Sequence, residues 1–260
     1  MNSNKKAFSL IELSIVIIIL GLLVASVTVG KDLIKAAQIR GLISQLHGFD
    51  TQVNTFQLKY NALPGDIRNA DKRGLGSHNG DGNYALEDSD GGDPDTLTGE
   101  LVYFWEHLDN AGFADGAYDG DETNGLIGET IPSAKNTGGI TVYSLNGVNY
   151  YHVGADDATG SPREANFIDT LVPEDAFSLD NKLDDGFPLK GKVIAKSKGS
   201  TTSDCKYNCA SQTISEANGG ASQIPGEACV LQASSSQNAN LDEYDFETSI
   251  VRCQLRVQMQ

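Results

Sequence analysis

Three successive patterns of apolar and polar positions divide the chain, and each predicts a different element. The first is unbroken: the 22 residues from Phe8 to Val29 carry one formal charge, Glu12. That is enough to cross a bilayer core, which takes about 20 helical residues. The second is a stripe, in which Ile39, Leu42, Leu46, Phe49, Val53, Phe56 and Tyr60 recur at alternating spacings of three and four. This is one face of a helix with a near-heptad period. Together they predict a single helix from about Phe8 to Tyr60, roughly 80 Å long at 1.5 Å per residue, stopped by Pro64 and Gly65. The stripe could form a coiled-coil seam or pack on a sheet of the same chain. Its aromatic content favours the sheet. Gly41 and Gly48 each weaken the helix by about 1 kcal/mol relative to alanine.

The third pattern is strand-like. "ITVYSLNGVNYYHV" (140–153) splits into two β-prone runs around Asn146-Gly147, a strong hairpin signature. "GKVIAKSKG" predicts a further strand. In "VRCQLRVQM", Val251, Cys253, Leu255, Val257 and Met259 alternate with Arg252, Gln254, Arg256 and Gln258, which points Cys253 toward the core. Between the long helix and these strands lies one helical segment, "TGELVYFWEHLDNAGF". Thr98 is its expected N-cap, Leu101, Phe104, Trp105 and Leu108 its apolar face, and Gly112 its stop. The expected fold is therefore α+β. A long N-terminal helix, half membrane-spanning and half amphipathic, packs on a C-terminal antiparallel sheet with long Gly/Asp-rich loops.

Lys5 and Lys6 precede the apolar run, so the positive-inside rule keeps the extreme N-terminus cytoplasmic and places the remainder across the membrane. The run is too long for a usual signal-peptide core and no A-x-A site follows it. Glu12 is the anomaly. A charge at the centre of a spanning helix costs roughly 2.5 to 3.5 kcal/mol even on insertion scales, less near its end.

"KKAFSLIEL" followed by an aliphatic run resembles the N-terminus of type IV prepilins and type II secretion pseudopilins. The resemblance implies a leader of residues 1–7, cut between Ala7 and Phe8, and N-methylation of Phe8. Glu12 falls on the family's signature glutamate and Gly21 on a common glycine. Ala7 stands where the family usually has glycine, and no proline interrupts the membrane segment. It further implies a filament-core helix over 8–30, an amphipathic helix over 31–62 and a periplasmic α+β domain over 63–260. In a staggered filament, Glu12 of one subunit would pair with the Phe8 ammonium of the next and set the register. The implied partners are the prepilin peptidase and N-methyltransferase, other pilins or pseudopilins, and the inner-membrane assembly platform. "YNALPGD" through the short helix resembles a group of longer bacterial pseudopilin-like proteins.

Charge narrows the picture further. With 35 acidic against 19 basic residues the net charge is −16, a surface that repels nucleic acid and anionic membranes. Oxygen ligands concentrate in two loops. "NGDGNYALEDSD" sets Asn79, Asp81 and Asn83 at positions one, three and five and Asp90 at position twelve of an EF-like loop, but puts Tyr84 where glycine belongs. "DGAYDGDETNG" adds Asp119 and Asp121, and "LDDGFP" adds Asp184 and Asp185. Calcium is the candidate ligand, as it is for major pseudopilins as a family; the alternative is solvated turns. No cofactor is required by any motif. Cys205, Cys209, Cys229 and Cys253 lie in the last 56 residues, a pattern of disulfides more than of zinc or free thiols, with three pairings open. No nucleophile elbow, phosphate loop or zinc-protease motif occurs, and no enzyme is expected.

Overall fold

The computed structural model describes residues 10–89, 97–123, 126–135, 138–155, 170–196, 221–222, 229–231, 243–244, 246 and 253–260. Helix α1 runs over Leu10–Tyr60, helix α2 over Glu100–Asn110 and helix α3 over Pro173–Leu183. Strands β1 (Gly139–Leu145), β2 (Val148–Ala155), β3 (Val193–Lys196) and β7 (Gln254–Gln258) build one antiparallel sheet in the order β1-β2-β7-β3. Three two-residue strands, β4 (Ala221–Ser222), β5 (Val230–Leu231) and β6 (Glu243–Tyr244), make a small second sheet. The layout is a long helix on an antiparallel sheet, α+β and pilin-like.

The stripe of α1 does what its period predicts. Ile39, Leu42, Leu46, Phe49, Val53 and Phe56 are all buried and Tyr60 half-buried. Phe49 sits 4.9 Å from the ring of Trp105 on α2 and 6.0 Å from Tyr151 on β2, so one side chain joins both helices to the sheet. The chain leaves the helix just before the expected Pro64. Asn61 takes a left-handed conformation at φ 53, and its N–H donates to Gln57 O at 2.8 Å. Asparagine is the usual substitute for glycine at that position.

The hairpin closes through Asn146 and Gly147, both at positive φ, the mirror-image turn whose twist suits paired strands. Cross-strand partners share a face. Val142, Tyr151, Val257 and Val193 therefore line the side that meets α1. The opposite face corrects a simple reading of the C-terminal alternation. Gln254 and Arg256 are each only 5% exposed, so both faces of this central strand are buried.

Two expectations for α2 differ. Its N-cap is Gly99, not Thr98, whose hydroxyl instead accepts hydrogen bonds from Ser89 N and Oγ at 3.2 and 3.0 Å. Gly99 adopts φ 60, ψ −140, and a Cβ there would fall 2.7 Å from Ser89 N. Only glycine fits. Gly99→Ala is expected to cost about 2 kcal/mol or more, read as a lowered Tm of the full-length protein. The second difference is that Glu106 and His107 are buried beside the apolar face.

Candidate functional site

Two parts of the molecule carry chemistry that the fold alone does not require. The first is the N-terminal half of α1. Every described side chain from Leu10 to Val29 is exposed, with large apolar groups between 50% and 86% accessible. Exposed leucine and isoleucine continue to Leu33 and Ile34. An apolar surface of this size is incompatible with water and calls for lipid or other helices around it. Ser14 and Ser26 satisfy their hydroxyls on Ile11 O and Leu22 O, each at 2.8 Å, so they add no unmet polar group to the segment. Glu12 lies on the described part of α1, exposed like its neighbours. Ala7 and Phe8 lie outside the described residues.

The second is an acidic junction where the turn after α1, the loop over 79–83 and the first turn of α2 meet. Asp66, Asp81 and Glu100 each bring a carboxylate oxygen within 4.8 Å of the others. Asp66 is 2% exposed and Glu100 7%. Asp66 accepts from the N–H groups of Gly82, Asn83 and Tyr84, the last two at 3.0 and 2.6 Å. Glu100 accepts from Asp81 N at 2.9 Å and Glu87 N at 3.3 Å. Glycines make this convergence possible: a Cβ on Gly80 would lie 2.4 Å from Gly65 O and 2.6 Å from Glu100 Oε1.

No Lys or Arg forms an ion pair with this trio among the described residues. Burial therefore acts with little opposition. It pushes the Glu100 carboxyl up to about 8, with the Asp66 and Asp81 charges adding to the rise and backbone N–H groups resisting it. Asp66 is raised for the same first reason. Three hard oxygen donors at this spacing could hold a divalent cation.

The trio is not the contiguous loop the sequence suggests. Of the expected ligands, Asp81 joins it. The Asn79 side chain turns away and accepts from Asp71 N at 3.2 Å. Asn83 donates to Asp81 and Glu87 and accepts from Ala85 N. Asp90 lies outside the described residues. Asp119 and Asp121 are spent on a separate turn, accepting from Asp121 N at 3.0 Å and Thr123 N at 2.5 Å respectively. Tyr84, in the place of the loop glycine, nonetheless takes the left-handed conformation, φ 68. Asp66 and Glu100 are the members that spacing along the chain did not reveal. Their only local signals are the Pro64-Gly65-Asp66 turn and an acid in the first turn of α2.

Neighbouring α2 side chains clamp the junction. His107 is fully buried; its Nδ1 accepts from Gly65 N at 2.9 Å and its Nε2 donates to His78 O at 3.1 Å. Burial lowers its pKa to about 4, which fits the neutral ring these bonds require. Glu106 accepts from Ser77 N at 3.1 Å and contacts His78 Nδ1 at 2.7 Å, and the His78 ring stacks on Tyr103 at 4.5 Å.

A second acid group gathers Asp184 and Asp185 with Asp180. Here Asp180 accepts from Tyr244 Oη at 2.8 Å and Gly186 N at 3.2 Å, and burial raises its carboxyl to about 7. Asp184 accepts from Val193 N at 3.3 Å. These carboxylates hold α3 to the start of β3. Cys229 and Cys253 form a disulfide that ties the small sheet to the strand entering β7. Cys205 and Cys209 lie outside the described residues.

Residues 2–28 match the prokaryotic N-terminal methylation motif, the prepilin-type cleavage and methylation signature of type IV pilins and pseudopilins. No curated protein and no solved structure matches the chain. The motif, with the long helix on an antiparallel sheet, supports a type IV pilin- or pseudopilin-like protein, a class of proteins that are typically structural. One long apolar N-terminal helix beside this motif fits a single-pass, membrane-anchored pilin, processed by the prepilin peptidase and assembled with other pilins.

Proposed function

We propose that the protein is a filament subunit of a type II secretion pseudopilus or a type IV pilus. The prepilin peptidase cuts it between Ala7 and Phe8 and methylates Phe8. An inner-membrane platform then draws it from the bilayer into the filament, with the domain after α1 in the periplasm. The reading rests on the bare apolar half of α1, a surface that a bilayer covers before assembly and neighbouring helices cover afterwards. The Phe8 ammonium of one subunit pairs with Glu12 of the next and fixes the stagger, a register role well attested for buried charges.

Intact mass and N-terminal sequencing of protein from cell membranes test the processing step. The expected chain begins at Phe8 and is about 14 Da heavier than the cut sequence, one methyl group. A chain still beginning at Met1 would sink the reading and favour a membrane-tethered periplasmic calcium- or ligand-binding protein that does not polymerise.

A second reading concerns the acidic junction. Asp66, Asp81 and Glu100 take up a divalent cation, calcium before magnesium, because oxygen donors fixed by backbone bonds suit a large ion with flexible coordination. The supporting observation is two buried carboxylates with raised pKa values and, among the described residues, no basic ion-pair partner.

A further inference from the structure

We propose that the buried guanidinium of Arg256 binds a carboxylate. Arg256 lies on the β7 face turned away from α1, in register with His152 of β2 and Ile194 of β3. Its guanidinium carbon stands 4.7 Å from the centre of the Tyr150 ring, and the buried Tyr143 hydroxyl hydrogen-bonds to it. Its Nε and Nη1 nevertheless meet no hydrogen-bond partner among the described residues, although the side chain is 5% exposed. Two strands away on the same face, the hydroxyl of Thr141, 0% exposed, is also without one. Among the described residues no Asp or Glu forms an ion pair with Arg256.

A guanidinium stays charged at any accessible pH, and stacking on one ring does not replace the hydration of two N–H donors. Planar N–H donors around a delocalised cation match carboxylate oxygens better than any neutral acceptor. The carboxylate has two sources, a side chain of this acidic protein or a small organic acid from solution, and the measurements below separate them.

Thermal unfolding of the full-length protein in detergent is compared for wild type and Arg256→Met at pH 7 and pH 4, with and without tens of millimolar acetate or succinate. If the chain supplies the carboxylate, Arg256→Met loses about 10 °C at pH 7. Much of that gap closes at pH 4, where the orphaned carboxylate takes up a proton. The other titratable groups on this face, Tyr143, Tyr150 and His152, are present in both proteins. If the carboxylate comes from solution, acetate or succinate raises the wild-type Tm and leaves Arg256→Met unmoved. A gap equal at both pH values, with no shift from either anion, overturns the proposal and leaves Arg256 a stacking residue on Tyr150. Should the variant not fold, the wild-type Arg256 Nε–H resonance decides. A downfield, exchange-protected proton supports the carboxylate, and an ordinary, fast-exchanging one excludes it.

Discussion

Glu12→Leu is expected to leave the protein folded and inserted in the membrane while abolishing its entry into filaments. Every described side chain from Leu10 to Val29 is exposed in the single chain, so the substitution is not expected to unfold the domain after α1. Insertion should improve slightly, because the substitution removes the one charge from the spanning run. Assembly responds in the opposite sense. The Phe8 ammonium of the neighbouring subunit would be left without its partner in a low-dielectric core, at a cost of about 3 to 5 kcal/mol per contact. That corresponds to a loss of roughly two to three and a half orders of magnitude in association per step, compounded along a polymer. The measurement is the fraction of protein in sheared or pelleted filaments against the fraction in membranes, with the unchanged melting of the domain as control. Glu12→Leu filaments at wild-type yield would show that the glutamate has no register role. Glu12→Gln separates charge from hydrogen bonding, since it keeps an acceptor and loses the ion pair.

Patterns set by backbone periodicity were legible in the chain. The α1 stripe, the Asn146-Gly147 turn and the buried face of α2 depend on residues within a few positions of one another, so a local reading reaches them. What was hidden depends on tertiary placement. Gly99 replaces Thr98 as the cap where the 87–89 backbone passes 2.7 to 3.1 Å from the place a Cβ would take, a fact with no trace in the local sequence. The cation candidates show the same limit. Asn79, Asp81 and Asn83 look like a loop of ligands, yet two of the three spend their side chains on neighbouring backbone and side-chain groups. Asp66 and Glu100 replace them from 15 residues upstream and 19 downstream of Asp81. Arg256 is a third instance, since strict alternation predicts a polar face but not that a second layer will bury it. The N-terminal motif stands apart, because on the proposed reading its residues serve a processing enzyme and neighbouring subunits rather than the fold of this chain.

The acidic junction yields the sharpest pH test. Glu100 has its pKa raised to about 8, first by burial and then by the Asp66 and Asp81 charges. The folded state therefore holds a proton that the unfolded chain releases near the ordinary carboxylate value of about 4.5. Stability from this group is fully present below that value and is lost as pH rises through about 8. In the presence of a chelator, the wild-type Tm is expected to fall by roughly 5 °C or more between pH 5 and pH 8.5. His107 acts in the other direction. Its lowered pKa of about 4 makes the unfolded chain the better proton acceptor below neutrality, so its contribution declines from about pH 6.5 toward 4. The two opposed slopes place maximum metal-free stability in the mildly acidic range. Glu100→Gln keeps the side chain's shape and removes its proton, so it should abolish the fall above about pH 7, leave below it the share that Asp180, raised to about 7, contributes, and leave the acidic slope in place. Calcium supplies the complementary readout. Added to wild type at pH 8, it should restore the lost Tm by binding the ionised trio, and it should do so far less for Glu100→Gln. A calcium-insensitive wild type with the slope intact would mean that the carboxylates are only a buried, proton-linked cluster. A flat wild-type profile would mean that Glu100 is better solvated than its burial indicates.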